Sequence, residues 1–364
     1  MTATVPHGGD VLGMAAEYGI TTESILDFSA NVNPRGLPLG ARGRMRQCAA
    51  DPALWQRYPD AEYRSLRAAL ARKHHVPIDS ILVGAGATAL LGATIQALRP
   101  SRCLLPVPAF SEYAHLCSVA GVNTDEFSLR QENGFRMDIG LYRATLEDHP
   151  CDLLILTNPH NPSGALLRKL EVLAILEHAR VHGTFIIVDE AFMDYAPNES
   201  VIQQAAQISN VAVMRSLTKF YGCPGLRVGF LVGAPETVSR IAPAVATWSV
   251  TTLAVEVLQE AIQDEAFAEE TFCSNRTDRE SLAASLVRMG AKVFPSHANF
   301  LLVRLKEGWP DSTLTRDLLL RQRGIAVRDC NSYAGLKRGK YIRVAVRTAE
   351  ENRQLLEGLR EIWK

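Results

Sequence analysis

The chain of 364 residues has no surplus of charge of either sign: Lys+Arg and Asp+Glu both total 39. That balance excludes a general attraction to nucleic acid or to an anionic membrane, while leaving room for local basic pockets. No apolar run approaches the roughly 18 residues that a membrane span needs. The start, MTATVPHGGDVLGMAAEYG, lacks a basic region followed by an apolar core, and so does not read as a secretory signal. Cysteine is sparse, with seven residues at 48, 103, 117, 151, 223, 273 and 330 and no Cys-x-x-Cys spacing. No histidine pair completes a zinc pattern. Reduced thiols in a cytoplasmic protein are therefore expected, and no metal. His74-His75 stands alone and is expected at the surface. Internal repeats and low-complexity tracts are also missing.

What is present is ordinary for a globular enzyme: 47% hydrophobic and 21% charged residues. The length suggests about two domains, at roughly 150 residues each. Short apolar runs alternate with amphipathic stretches. SILVGAG, CLLPVPAF, CDLLILTNP, TFIIVDEAF and NVAVMRSLT read as strands. TALLGATIQAL, EYAHLCSVAG and KLEVLAILEHARVHG read as the helices between them. Such alternation predicts an α/β fold with a mostly parallel sheet. The last third opens with a long helical stretch near 252–290 and continues as strand, helix and strand in an α+β pattern. A large domain is expected over 40–255. A smaller α+β domain is expected to take 256–364 together with the N-terminal 1–39.

Open α/β sheets bind ligands beyond the carboxyl ends of their strands. Three apolar strands here run into polar residues at that edge. LLILT runs into Asn158-Pro159-His160-Asn161-Pro162-Ser163-Gly164, FIIV into Asp189-Glu190, and VAVM into Arg215-Ser216-Leu217-Thr218-Lys219. An Asn, an Asp and a Lys distant in sequence thus converge. A lysine amine forms a Schiff base with an aldehyde. A carboxylate beside a pyridinium nitrogen keeps such a ring an electron sink, and an Asn amide can donate to a ring phenolate. Ser216, Thr218 and Arg227 stand near the lysine as phosphate ligands. Backbone N–H groups after Gly84-Ala85-Gly86, at a helix start, would complete a cradle. Taken singly each residue has an ordinary reading. Asp189 would cap a helix, Asn158 and Asn161 would make turns, the arginines would form surface pairs, and Tyr58 and Tyr113 would fill a core. Asn158 is read as structural and Asn161 as functional.

The ordered set Asn-Pro-x-Asn-Pro-Ser-Gly, Asp-Glu-Ala, Ser-Leu-Thr-Lys and Gly-Leu-Arg-x-Gly resembles that of fold-type I aminotransferases. The likeness is greatest to the histidinol-phosphate aminotransferase branch, and runs from Asp27-Phe28-Ser29-Ala30-Asn31 to Tyr341-Ile342-Arg343. The resemblance implies pyridoxal 5'-phosphate as cofactor and the fold-type I transferase fold. Lys219 matches the Schiff-base lysine, Asp189 the partner of the pyridine nitrogen, Asn161 the donor to the ring oxygen, and Tyr113 the aromatic stacked on the ring. Ser216, Thr218, Arg227, Ala87 and Thr88 match the phosphate cradle. Tyr58 matches a tyrosine that reaches the neighbouring subunit's cofactor phosphate, which implies a homodimer. Arg343 matches the arginine that meets the substrate carboxylate.

Within that branch, His7-Gly8-Gly9-Asp10, Asp27 to Pro34 and Arg215 to Tyr221 are most similar to the L-threonine-O-3-phosphate decarboxylase family of cobalamin synthesis. Phe192 stands where the transaminases usually carry Tyr, as it does in those decarboxylases. The resemblance places His7, Gly8, Gly9, Asn31, Asn161, Arg328 and Arg343 against the substrate. One departure is the loop Gly84-Ala85-Gly86-Ala87-Thr88-Ala89, which those decarboxylases have polar and acidic. The implied reaction is decarboxylation of L-threonine O-3-phosphate to (R)-1-amino-2-propanol O-phosphate. Histidinol-phosphate aminotransferase is the alternative enzyme, and phospho-L-serine an alternative substrate. A pyridoxal-phosphate-binding regulatory module is the alternative from another class; no helix-turn-helix or basic segment speaks for it.

Overall fold

The structure, a computed structural model, describes residues 8–364; His7 lies outside the described residues. A seven-stranded sheet forms the centre. Its strands are β2 (Ile81–Gly84), β3 (Arg102–Val107), β4 (Asn123–Ser128), β5 (Leu153–Thr157), β6 (Phe185–Asp189), β7 (Val211–Ser216) and β8 (Gly229–Val232). They lie in the order β2-β8-β7-β6-β5-β3-β4. The strands from β3 to β7 pair in parallel, while β8 runs antiparallel to both β2 and β7. The apolar runs arise because helices cover both faces: every residue of β5 and of β7 is buried. The edge strand β4 buries only Phe127 and is otherwise polar, which discourages a further strand from joining there. In register, Thr157 lies beside Asp189 and Asp189 beside Met214. The carboxyl ends of β5, β6 and β7 therefore open on one edge.

That edge is pinned from behind. Arg215 sends Nη1 to Glu190 at 3.0 Å and Nη2 to Asp194 at 2.7 Å, and all three side chains are largely buried. Glu190 also accepts from the Ser200 hydroxyl and the Val201 N–H. Burial raises the Glu190 carboxyl, and the Arg215 charge opposes that rise. Removing either partner of such a pair would strand a buried charge. The pair thus fixes the end of β6 against the end of β7, one residue from Asp189 and four from Lys219.

The last third forms a second sheet from β9 (Lys292–Val293), β10 (Phe300–Arg304), β12 (Arg328–Asp329) and β13 (Tyr341–Ala345), antiparallel in the order β12-β13-β10-β9. Near it, β11 (Ile325–Ala326) pairs in parallel with β1 (Leu26–Asp27), so the N-terminal segment joins the C-terminal third. Phe28 is fully buried in its core with Leu301, Ile342 and Leu359. The helix Ala349–Ile362 closes this core behind a capping box made by Thr348 and Glu351.

The long helical stretch near 252–290 is two helices, Thr252–Ala261 and Glu265–Arg288. Asp264 separates them because its carboxylate accepts from Phe267 N and starts the second helix. The first helix buries Val257, Leu258 and Ala261 in the core beneath the large sheet, so position 255 falls inside an element of that core. His74 is half-buried against Phe230, with ring centroids 5.4 Å apart, and only His75 is at the surface as expected. Among the described residues no helix is long and apolar enough to cross a membrane.

Candidate active site

A cavity of about 490 Å³ opens at the carboxyl edge of the large sheet, between it and the second sheet. Of the residues singled out in the sequence, it is lined by Gly8, Asn31, Ala87, Thr88, Tyr113, Asn161, Asp189, Thr218, Lys219, Arg227, Arg328 and Arg343. Ser216 lies beside it, with Oγ 3.1 Å from Thr218 Oγ1. Gly9 is next to the lining residue Gly8 and donates its N–H to Ser29 Oγ at 2.9 Å. Tyr58 is elsewhere. It is exposed and stacks on Trp248, with ring centroids 4.5 Å apart.

Lys219 sits in the short helix Leu217–Phe220 that begins where β7 stops. Among the described residues its amine has no ion-pair partner, and it stands 5.1 Å from the centre of the Phe192 ring. Burial holds the amine below its ordinary pKa; Asp189 opposes this, and the charges of Arg227 and Arg343 add to it. The neutral amine needed for attack on an aldehyde is thereby favoured.

Asp189 receives the Tyr113 hydroxyl at 2.6 Å, and Tyr113 in turn accepts from Thr157 Oγ1 at 2.9 Å. Burial pushes the Tyr113 hydroxyl well above its usual pKa, and the Asp189 charge adds to this, so it stays a donor. The carboxylate's other oxygen takes the Ala191 N–H at 2.9 Å. The expectation for Tyr113 concerned only its ring; the chain Thr157–Tyr113–Asp189 was not legible in the sequence.

Asn161 is held by a loop that Asn158 ties down, exchanging two hydrogen bonds with the Leu167 backbone at 2.9 and 3.0 Å. His160 is buried in the same loop between Ser163 Oγ and Pro108 O, and burial lowers it to about 4. Arg343 donates Nη1 to Asn161 Oδ1 at 2.7 Å and to the Tyr333 hydroxyl at 3.0 Å, and Nη2 to Ser29 O at 2.9 Å. The Asn161 oxygen is thus engaged, which fixes its amide so that Nδ2 is the group available to a ligand. Arg328 is the cross-strand partner of Arg343 and donates to Ser332 Oγ at 2.7 Å. Like charges directly opposite on adjacent strands repel; an anion between them removes that penalty. Tyr333, Thr157 and Ser29 also belong to the site. They were not marked in the sequence because a single hydroxyl residue, at a strand end like Thr157 or in a loop like Ser29 and Tyr333, carries no spacing signal.

The opposite end of the cavity gathers donors suited to a phosphate. The helix Ala87–Leu98 begins there with Gly86 as its N-cap at φ 90° and no side-chain cap, leaving its first N–H groups to the cavity. A Cβ on Gly86 would come within 2.9 Å of Arg227 Nη2, and one on Gly229 within 2.6 Å of Ala87 N. Both glycines are needed for the close approach of guanidinium, helix start and strand. Backbone donors at Ala87-Thr88, the hydroxyls of Thr88, Ser216 and Thr218, and Arg227 form a donor set suited to a dianionic phosphate. The alanines of this loop are compatible with that role because the backbone supplies the donors. An amine at Lys219, a carboxylate at Asp189 and this cradle fit pyridoxal phosphate at its aldehyde, ring nitrogen and phosphate.

Comparison with known proteins points the same way. The family model for aminotransferase class I and II matches residues 23–359. The chain is 35% identical over 359 residues to a threonine-phosphate decarboxylase of Salmonella typhimurium, covering 98% of this chain and 96% of that protein. It is 32% identical over 360 residues to the adenosylcobalamin biosynthesis bifunctional protein CobDQ of Leptospira interrogans, covering 98% of this chain but 41% of that longer protein. Among solved structures, the histidinol-phosphate aminotransferase of Clostridium acetobutylicum superposes with a TM-score of 0.85 at 26% identity, over 93% of this chain and 99% of that one.

Proposed function

The chain belongs to the aminotransferase class I and II family, and from that premise we propose a pyridoxal-phosphate-dependent lyase that converts L-threonine O-3-phosphate to (R)-1-amino-2-propanol O-phosphate in cobalamin biosynthesis. The observation that carries the substrate class is the pairing of Arg328 with Arg343 across β12 and β13, both lining the cavity. Two adjacent guanidinium groups suit a substrate with a phosphate and a carboxylate. Phe192 favours the lyase over the transferase. It lines the cavity beside Lys219 and lacks the hydroxyl that the transaminases carry at that position. The Salmonella relative's name and full-length match support the same reading.

Lys219 would hold the cofactor covalently, Asp189 would hold a proton on its ring nitrogen, and Asn161 Nδ2 would donate to its ring oxygen. Thr88, Ser216, Thr218, Arg227 and the N–H groups at Ala87-Thr88 would hold its phosphate. When bound, the cofactor supplies a sink for the electron pair released from a bond at the substrate's Cα. The chain's own part is orientation. Which bond at Cα reacts would be decided by how the substrate's anionic groups are held. Arg328, Arg343, Asn31 and the Gly8-Gly9 backbone would hold those groups so that the bond to the carboxylate is the one that reacts; His7 is assigned to the same end from the sequence. Lys219 Nζ, lining the cavity, would be placed to return a proton to Cα. Tyr113 keeps Asp189 oriented throughout.

We take the protein as a homodimer working in the cytoplasm, with two domains meeting at this cavity. The exposed Tyr58–Trp248 stack would reach the neighbouring subunit's cradle, and the seven unpaired cysteines suit a reducing compartment. Product analysis tests the function. Enzyme and pyridoxal phosphate are incubated with threonine phosphate and no keto acid, following carbon dioxide and aminopropanol phosphate. If neither forms while histidinol phosphate and 2-oxoglutarate give glutamate, the transferase reading replaces this one. Phosphoserine run in parallel measures discrimination by one methyl, worth about 1–3 kcal/mol at most.

A further inference from the structure

On the outer face of the large domain, away from the cavity, two helices end together: Ile139–Asp148 and Lys169–Val181. Glu147 lies in the last turn of the first. His178 lies in the last turn of the second, and His182 is its C-cap residue. Each of the three offers one ligand atom, and these atoms lie within 4.8 Å of one another. From this geometry we infer that Glu147, His178 and His182 form a binding site for a divalent transition cation of the zinc type.

Four observations carry it. First, His178 and His182 are four residues apart at the end of one helix, a spacing that stacks side chains on one face and is a recurring zinc-chelating arrangement; their ring centroids are 4.4 Å apart. Second, His182 Nδ1 lies 2.9 Å from His178 O. A carbonyl only accepts, so Nδ1 carries the proton and Nε2 the lone pair. This is the backbone-oriented tautomer that metal-bound histidines adopt. Third, His178 Nε2 is buried without a hydrogen-bond partner. A buried polar nitrogen left without a partner is costly, and a bound cation would satisfy it. Fourth, both helices end at the cluster, so the negative ends of their backbone dipoles favour a cation. The nearby Arg180 is already paired with Glu177 at 2.7 Å.

Zinc binds its donors at about 2.0–2.2 Å, which sets them roughly 3.3–3.5 Å apart in a tetrahedron. Side-chain rotation at Glu147 and the two histidines would bring donors that lie within 4.8 Å to that spacing. Two imidazoles and one carboxylate match the borderline softness of zinc, cobalt and nickel, and leave a fourth position for water. Bridging two helix ends, the cation would staple them together. In the sequence no histidine pair completes a zinc pattern, because the third ligand, Glu147, comes from another helix.

The test uses the cofactor-loaded enzyme, treated with chelator and dialysed, then titrated with zinc by calorimetry. One zinc per chain is expected in the micromolar range, lost in both His178→Gln and His182→Gln and at least tenfold weaker in Glu147→Gln. Decarboxylation is expected to be unchanged in all three, since none touches the cavity. Zinc should raise the melting temperature of the parent and leave that of His182→Gln unmoved. His182 is exposed, so its variant reports even where His178→Gln fails to fold. No zinc binding by the parent overturns the proposal, as does undiminished binding by His182→Gln.

Discussion

The Tyr113 hydroxyl donates to Asp189 Oδ2 at 2.6 Å inside the cavity, and the pair is backed by Thr157. A hydrogen bond to a charged group contributes about 1.5–3 kcal/mol, so Tyr113 acts on the cofactor end of the site through Asp189. Tyr113→Phe keeps the ring and removes the donor. The expected result is a kcat roughly 10–100-fold lower by that energy, little change in KM, and a displaced pH midpoint for the visible absorbance of the bound cofactor. A wild-type midpoint would reduce the contact to packing.

Lys219→Ala should abolish both turnover and the visible absorbance of covalently held cofactor. Borohydride reduction of the parent followed by peptide mapping checks the assignment, and a label on another lysine would sink it.

Phe192→Tyr should fold normally, because Phe192, packed on Phe300 in the core, also lines the cavity, which has room for the added hydroxyl. The cofactor spectrum is expected to shift and side transamination to rise. Absorbance and a keto-acid assay decide; an unchanged spectrum means residue 192 does not influence the cofactor.

Arg328→Ala should lower kcat/KM for threonine phosphate about 10–100-fold, the value of one charge-assisted hydrogen bond. Thermal melting run alongside separates a loss of substrate binding from a loss of fold. On the parent, free threonine should lose kcat as well as affinity, because binding energy from the phosphate is used in orienting the carboxylate. Equal kcat for the two substrates would count against this.

Tyr58→Ala should leave the fold intact and speed loss of cofactor, since the exposed stack with Trp248 is assigned to the partner's cradle. Light scattering is expected to show a dimer. A fully active monomer refutes the composite site.

The carboxyl edge of the large sheet was legible because β5, β6 and β7 are each a buried apolar run that ends in polar residues, as at Thr157-Asn158, Asp189 and Ser216-Lys219. Beyond those stops the sequence was silent for physical reasons. Strand β8 has four residues and follows Arg227 at φ 52°; its antiparallel insertion between β2 and β7 is decided by tertiary pairing. The edge strand β4 is polar on all but one residue and shows no apolar run. Tyr333 reaches the cavity because β12 and β13 flank its loop, and nothing in its neighbours marks it. The His178–His182 pair was visible as a spacing, but Glu147 comes from a helix whose packing the sequence does not state.

Arg343 and the Ser29 carbonyl that holds it are 314 residues apart in sequence. The second sheet meets the N-terminal segment through β1 and β11, and Ala345 N donates to Phe28 O at 2.9 Å. During synthesis, Asp189 and Lys219 leave the ribosome long before Arg328 and Arg343. The large sheet contains all its strands by Val232, whereas Phe28 must wait for β13 before its core can close, a loop closure between the two ends of the chain. The nascent chain thus completes the edge that carries Asp189 and Lys219 first and the Arg328–Arg343 wall of the cavity last. A chain arrested between those points carries the amine and the carboxylate in a half-built cavity.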